Sequence, residues 1–341
     1  MGSANSSAAD RKSSIGRAIF RWVFLLVVLS LLAIGGFVAY FASEEVDRTS
    51  TLAVASEVFE TEQGEIQAVV RGEGEPVLII HGAPGGYDQG LLLAEVLGLD
   101  EGQTVVAYSR PGFLLTPPTS RPGVFWQGED ALALLQELGL PRVTVVGFSS
   151  GCVPAWWLAV NHPEVVSHLV LLSPVIPASS PSNIAKSPAA LAKRDLSGLL
   201  RGPMIEAMRA LEPNLLARSV VRSVDADPKS ATAGIAANPA QLEGFVSFFD
   251  TLTPFPPRRP GTEATLELPV SLPQQAPEVP TLVIQGASDP FLQELPATLL
   301  GGASVSQVSV AKGGHWPWFA PSWREVILQL QGFLNEESAS D

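Results

Sequence analysis

The sequence predicts an α/β protein: a mostly parallel, eight-stranded sheet with helices on both faces and a helical cap insertion, preceded by one N-terminal transmembrane helix. Three observations carry that expectation. Short apolar runs such as Val77–Ile80 alternate with segments of helical period, as strands buried on both faces of a parallel sheet do. The alternation breaks between Ser173 and Pro280 and then resumes, as it would around a cap inserted into the chain. Ahead of both, Trp22–Ala42 reads WVFLLVVLSLLAIGGFVAYFA without a single charge.

As a helix that first run spans about 31 Å, the thickness of a bilayer's hydrocarbon core. Arg11, Lys12, Arg17 and Arg21 precede it, and Glu44, Glu45 and Asp47 follow. The positive-inside rule makes residues 1–21 a cytoplasmic basic tail, 22–42 the signal anchor in the lipid bilayer, and places the chain after residue 43 outside the cytoplasm. Trp22 and Tyr40 suit the two interfaces. The alternative is a signal peptide cleaved near residue 55 at Ala53-Val54-Ala55, releasing a secreted protein. The apolar run is longer than a signal peptide's, and that site lies well beyond its end. Met1-Gly2 with Ser6 also fits a myristoylation pattern, which a spanning helix makes redundant.

Residues 43–56 read as a linker. Glu57–Glu62 and Glu65–Val70 then form a hairpin turning at Gln63-Gly64. Val77–Ile80 is a strand, Tyr87–Leu97 a helix, Thr104–Tyr108 a strand and Val124–Leu138 a helix closed by Gly139. Val143–Val146, the helix Ser150–His162 and the strand Leu169–Leu172 complete the first part of the core, 57–172. The cap, 173–280, carries helical patches at Leu191–Leu200, Met204–Val221 and Leu242–Leu252, with a proline-rich tail from Pro254 to Pro280. The second part of the core, 281–334, holds strands Thr281–Gln285 and Ser304–Val310 and the helix Pro321–Leu334. The first 14 residues read as a frayed polar tail and 335–341 as an acidic one.

Composition excludes several classes. With 46% hydrophobic and 16% charged residues among 341, the chain is neither disordered nor short of a core. Its formal charge of −13 argues against nucleic acid, which needs a basic footprint. One cysteine rules out a disulfide framework or a Cys-based zinc cluster. No dinucleotide fingerprint, phosphate loop or metal-ligand spacing occurs, so no cofactor or metal is expected. The mean hydropathy of +0.24 mixes the apolar span with a buried sheet.

The chemistry gathers at strand ends. Gly147-Phe148-Ser149-Ser150-Gly151 is a G-x-S-x-G motif following a buried strand and opening a helix, the setting of a nucleophile elbow. A serine needs a base, and the chain has four histidines. His81 ends a strand; His162 at a helix C-terminus reads as structural, and His168 as exposed. His315, in the loop after the last strand, remains as the base. Asp289, after the strand that follows the insertion, is the carboxylate to orient it; Ser173-Pro174 at the other natural position offers no acid. Cys152 reads as buried and inert, Arg110 as holding its own turn. Trp316, Trp318 and Phe319 read as packing of the last helix. Phe245, Phe248, Phe249 and Phe255 either roof the site or anchor the cap.

Taken together, HGAPGG at 81–86, SRPG at 109–112, GFSSG at 147–151, GASDP at 286–290 and GGHWP at 313–317 make residues 57–334 resemble the α/β-hydrolase superfamily. The order Ser149, Asp289, His315 is the order that resemblance implies. It also implies oxyanion donors at the backbone N–H groups of Ala83 and Ser150. The HGAPGG loop is most similar to the HGxPG loops of capped members, proline iminopeptidases and related esterases among them. It departs from their HGGPG, however, the elbow is not their GGSWG, and Ser109 stands where many members carry Asp. Dehalogenases and epoxide hydrolases share the capped layout but use an Asp nucleophile, which Ser149 excludes.

The resulting expectation is a membrane-anchored serine hydrolase, resembling the carboxylic ester hydrolases. It would act on a small-molecule substrate with a carbonyl: an ester, thioester or amide. The alternatives are an aminopeptidase of the proline iminopeptidase type, an acyltransferase or perhydrolase on the same triad, or a non-catalytic binding protein on a hydrolase fold. Residues 1–21 carry +3 and the remainder −16. The acidic domain favours a small neutral or cationic substrate over a phospholipid.

Overall fold

Val77 and Ile79 point into one apolar core and Leu78 and Ile80 into another, and all four are sealed from solvent. A strand covered on both faces has no solvent side, which is why this run lacks polar alternation. The computed structural model describes residues 4–335 apart from 120, 122, 124–125, 176–197, 268–272, 274, 292–294 and 303.

The strands are β1 (Glu57–Thr61), β2 (Gly64–Arg71), β3 (Glu75–Ile80), β4 (Gln103–Tyr108), β5 (Val143–Phe148), β6 (Val166–Leu172), β7 (Thr281–Gly286) and β8 (Val305–Val310). They form one 8-stranded sheet in the order β1-β2-β4-β3-β5-β6-β7-β8. β2 is antiparallel to β1 and β4, and every other pairing is parallel. The mostly parallel sheet expected from the sequence is present.

The helices are α1 (Ala4–Val54), α2 (Tyr87–Leu97), α3 (Gln127–Glu137), α4 (Cys152–Asn161), α5 (Gly198–Leu211), α6 (Pro213–Val224), α7 (Pro228–Ala237), α8 (Pro239–Asp250), α9 (Arg259–Glu267), α10 (Ala297–Leu300) and α11 (Trp323–Asn335). α3 and α4 cover the Leu78 and Ile80 face, through Leu135, Trp156 and Leu158. α2 and α11 cover the other through Leu93, Leu97, Val326 and Leu330, and the cap joins that core. Each fully buried aliphatic side chain stabilises the fold by about 1.5–3 kcal/mol.

Between β6 and β7 the described chain is more helical than its sequence suggests. Pro213 splits the expected Met204–Val221 helix into α5 and α6 and stands at the start of α6, where its missing N–H is no loss. Pro228 and Pro239 open α7 and α8 in the same way, with Asp227 and Asn238 capping them. α9 lies inside the supposed proline-rich tail, with Pro260 in its first turn. Most of the Leu191–Leu200 patch lies outside the described residues, as do 336–341 of the acidic tail and the start of the Val124–Leu138 helix. His168, expected on the surface, lies inside β6 and is buried against Phe333, because that strand begins at Val166.

α1 has 51 residues and runs about 76 Å. It starts within the stretch read as a polar tail and continues through the supposed linker 43–56 as far as Val54. Its most apolar window, within Ile19–Val54, has a hydropathy of 2.6 and is 0% buried. Trp22, Phe24, Leu26 and Leu32 all stand exposed. Beyond residue 43 the helix persists because one face packs on the domain. There Arg48 pairs with Glu206 of α5 at 2.7 Å, and the Tyr87 hydroxyl donates to the Leu52 carbonyl at 2.8 Å. The hydroxyls of Thr49, Ser50 and Thr51 donate to carbonyls one turn back, which satisfies them within the helix at a small cost that the docking offsets.

Candidate active site

Two glycines shape the turn after β5. On Gly147 a Cβ would stand 2.8 Å from Ala155 Cβ, and on Gly151 one would collide with the carbonyl oxygens of Ile80 and His81. Their absent side chains let β5, α4 and the end of β3 close on one another. Ser149 follows β5 at φ 53°, a left-handed conformation rare outside glycine. One 3-10 turn, Ser149–Gly151, leads into α4, so the hydroxyl stands at the start of that helix. Ser149 is the elbow serine that the motif requires.

Asp289 and His315 arrive from the loops after β7 and β8. His315 Nδ1 lies 2.8 Å from Asp289 Oδ2, and its Nε2 lies 3.0 Å from Ser149 Oγ. A carboxylate only accepts, so Nδ1 carries the proton and Nε2 is left to accept from the serine hydroxyl. Asp289 Oδ1 in turn accepts the Phe291 N–H at 2.8 Å, which fixes the carboxylate. All three side chains are buried. The structure thus brings together the three residues that sequence singled out.

The cap reaches these loops as well, which the sequence did not reveal. The His315 N–H donates to the Val224 carbonyl at 2.7 Å, and the Ala226 N–H donates to the Ser288 carbonyl at 2.8 Å. One strap, residues 224–226, therefore ties down both the loop that carries Asp289 and the loop that carries His315. Aromatic rings wall the same region. Phe148 lies against His315, Phe248 and Trp318, and Phe248 packs on Trp316 and Trp318 at 4.7 Å each. Phe248 thus anchors the cap to the core and also abuts the elbow, so the two readings of the cap aromatics merge.

The loop 81–86 carrying Ala83 crosses in front of Ser149. A Cβ on Gly82 would stand 3.1 Å from Ser149 Cβ and 3.0 Å from the Phe148 ring. Ser150 is buried beside it, and its Oγ accepts from Arg110 Nη2 at 3.0 Å. Arg110 does more than hold its own turn. Fully buried, it also donates to Gln127 Oε1 at 2.8 Å and lies over the Phe113 ring. Burial lowers its pKa to about 10, which leaves it charged. Cys152 is buried with its thiol against the Gly147 carbonyl, and burial pushes its pKa up, so it is inert as expected.

His81 is unsuited to act as a base. Its Nε2 accepts the Arg110 N–H at 3.0 Å, so the proton sits on Nδ1 and donates to the Gly82 carbonyl at 2.6 Å. Burial, then the Arg110 charge, holds its pKa well below the ordinary histidine value. The unfolded chain takes up a proton that the fold refuses. His81 therefore contributes stability that is present above about pH 6.5 and lost as pH falls below it. In 15N-histidine spectra one imidazole should stay a neutral Nδ1–H tautomer as pH falls through the ordinary histidine range. Titration of all four rings near pH 6.5 would contradict this.

A sequence profile described as "alpha/beta hydrolase fold" matches residues 75–319. The chain belongs to the alpha/beta hydrolase fold family. A curated relative, the 2-hydroxy-6-oxononadienedioate/2-hydroxy-6-oxononatrienedioate hydrolase of a Pseudomonas species, is 25% identical over 303 residues. That match covers 82% of this chain and 98% of the relative. Among solved structures, an alpha/beta hydrolase fold protein from Nakamurella multipartita matches with TM-score 0.68 and 25% identity, covering 82% and 98% of the two chains. A thermophilic esterase from Thermogutta terrifontis shares the fold with TM-score 0.57 at 19% identity, over 82% and 98%. Family and curated relative agree on hydrolysis as the reaction class.

Proposed function

We propose that the chain is a membrane-anchored serine hydrolase that cleaves a small-molecule ester, thioester or amide through an acyl-enzyme. The observation that carries this reading is the unbroken hydrogen-bond line Asp289–His315–Ser149. His315 Nε2 takes the hydroxyl proton as Ser149 Oγ attacks the carbonyl carbon, and Asp289 stabilises the resulting imidazolium. The N–H groups of Ala83 and Ser150 hold the oxyanion; a backbone donor is indifferent to its own side chain, so Ala83 serves as well as glycine. His315 then gives its proton to the leaving group, and water attacks the acyl-enzyme under the same base. No metal or redox group enters this sequence of steps.

A second reading rests on the curated relative, whose printed substrate carries a ketone and two carboxylates and no ester. The same serine line would then attack the ketone carbon, the C–C bond beside it breaking as the leaving carbon takes up a proton, and water would release the acyl group as an acid. The test is product analysis of full-length protein on p-nitrophenyl esters of graded chain length, aminoacyl arylamides and 2-hydroxy-6-oxo dienoates, with competing alcohols and peroxide present. Turnover of short esters to free acid is the expected result. Cleavage of the arylamides or the dienoates alone, or acyl transfer outrunning hydrolysis, would replace the ester reading. The exposed apolar length of α1 supports anchoring through residues 22–42 with the catalytic domain outside the cytoplasm. Activity should stay with membranes through alkaline carbonate washing; its release would sink the anchor.

A further inference from the structure

Gln89 is fully buried on α2, in register with Leu93 and Leu97 on the helix's apolar face. A primary amide in that position is costly unless all its groups are satisfied, and here they are satisfied by the loop that crosses Ser149. Gln89 Oε1 accepts the Gly82 N–H at 2.8 Å, and Nε2 donates to the Pro84 carbonyl at 3.2 Å. The amide therefore grips the residue on each side of Ala83. Nε2 also lies 3.3 Å from Thr251 Oγ1, in the cap segment that follows α8.

That cap segment is gripped in turn by α1. Arg48 Nη2 donates to the carbonyls of Asp250 at 3.1 Å and Thr253 at 3.4 Å, flanking Thr251, while Nη1 pairs with Glu206. Arg209 of α5 closes the cluster onto Glu206 and Asp250. From the opposite side Arg258 holds the Thr253 carbonyl at 3.1 Å and the Asp88 carboxylate, next to Gln89, at 2.9 and 2.7 Å. A short line of contacts thus joins the end of the anchor helix to the loop facing the serine.

We propose that Gln89 is a positioning residue that aims the Ala83 N–H at the oxyanion, and that Arg48 of α1 sets its grip through Thr251 of the cap. The proposal rests on the assignment of Ala83 as an oxyanion donor and of Ser149 as nucleophile. Gln89 itself touches no substrate. Its loss moves a donor that matters in the transition state, so kcat falls while KM stays. The helix that carries the anchor thereby becomes part of the catalytic alignment, beyond its role as a tether.

The experiment is a kinetic double-mutant cycle on full-length protein in detergent or vesicles, using the best ester of the panel. Gln89→Ala should lower kcat by about 10- to 100-fold with KM within about threefold, and Arg48→Ala should lower kcat about 3- to 10-fold. The double variant should be no slower than Gln89→Ala alone by more than about twofold, since Arg48 acts through the amide that is gone. Unchanged kcat in Gln89→Ala, or a loss confined to KM, overturns the positioning role. Fully multiplying effects, or an unaffected Arg48→Ala, overturn the link to α1. Should Gln89→Ala fail to fold, Thr251→Val removes the cap partner of the amide, together with the hydroxyl's local bond to the Phe248 carbonyl, and must lower kcat in the same way while KM stays. Ser149→Ala separates the two readings. If it retains turnover, the underlying site assignment fails; if it is dead while Gln89→Ala is normal, only the present proposal fails.

Discussion

Ser149→Ala should lower turnover of the preferred substrate by a factor on the order of 10⁴–10⁶ and abolish covalent labelling by a fluorophosphonate. The size follows from the proposed role of the hydroxyl: it is the atom that would bond to the carbonyl carbon, and among the described residues no other nucleophile stands within hydrogen-bond reach of His315 Nε2. Cys152, the nearest alternative by chemistry, is buried with its thiol turned to the Gly147 carbonyl. His315→Ala should cost about as much, and the double variant little more, because serine and base act as one unit. Asp289→Asn should cost about 10⁴, since an amide in place of Oδ2 would favour the tautomer that carries its proton on Nε2. Steady-state kinetics on the folded variants, with thermal unfolding as control, decides the matter. Ser149→Ala turning over at the wild-type rate would refute the serine mechanism outright.

The parts of this site that were legible in the sequence are those where chemistry and local structure demand the same residues. A strand of Val and Ile between two cores, a turn that needs glycine on both sides, and an acid and a base at strand ends all leave marks at short range. The parts that escaped are contacts across long stretches of chain. Gln89 carried a faint signal, a polar residue in register with Leu93 and Leu97, but its partners Gly82 and Thr251 lie on two different elements. The strap at 224–226 acts through backbone groups, which no side-chain pattern encodes. Arg48 lies in the stretch 43–56 read as a linker, and docking on α5 and on Tyr87 of α2 is what carries the helix through its serines and threonines. Helix boundaries in the cap failed for one reason. Pro213 is passed over inside one expected helix and Pro260 counted in a proline-rich tail, whereas each, like Pro228 and Pro239, stands in a first turn, where proline starts a helix.

Gly151→Ala should destabilise the fold by about 3 kcal/mol and lower kcat by about 10²-fold in whatever protein remains folded. The cause is space, since Gly151 has φ −71°, a conformation alanine adopts freely. An added Cβ would meet the carbonyl oxygens of Ile80 and His81. Those atoms cannot yield, because Ile80 is paired on both sides, with Tyr108 of β4 and Gly147 of β5. The start of α4 must therefore move outward. Ser149 and Ser150 move with it, away from the 3.0 Å contact with His315 Nε2. Gly147→Ala meets a different obstacle, the Cβ of Ala155 at 2.8 Å, as well as the α4 backbone at Cys152 Cα. Ala155→Gly should therefore recover part of the loss at 147 and none at 151. Gly332→Ala on α11, where nothing lies within 4 Å, should stabilise by about 0.5–1 kcal/mol and leave kcat alone. Chemical denaturation and steady-state rates on the four variants separate crowding at the elbow from a general effect of replacing glycine. A Gly151→Ala protein as stable and active as wild type would mean that the elbow does not sit against β3.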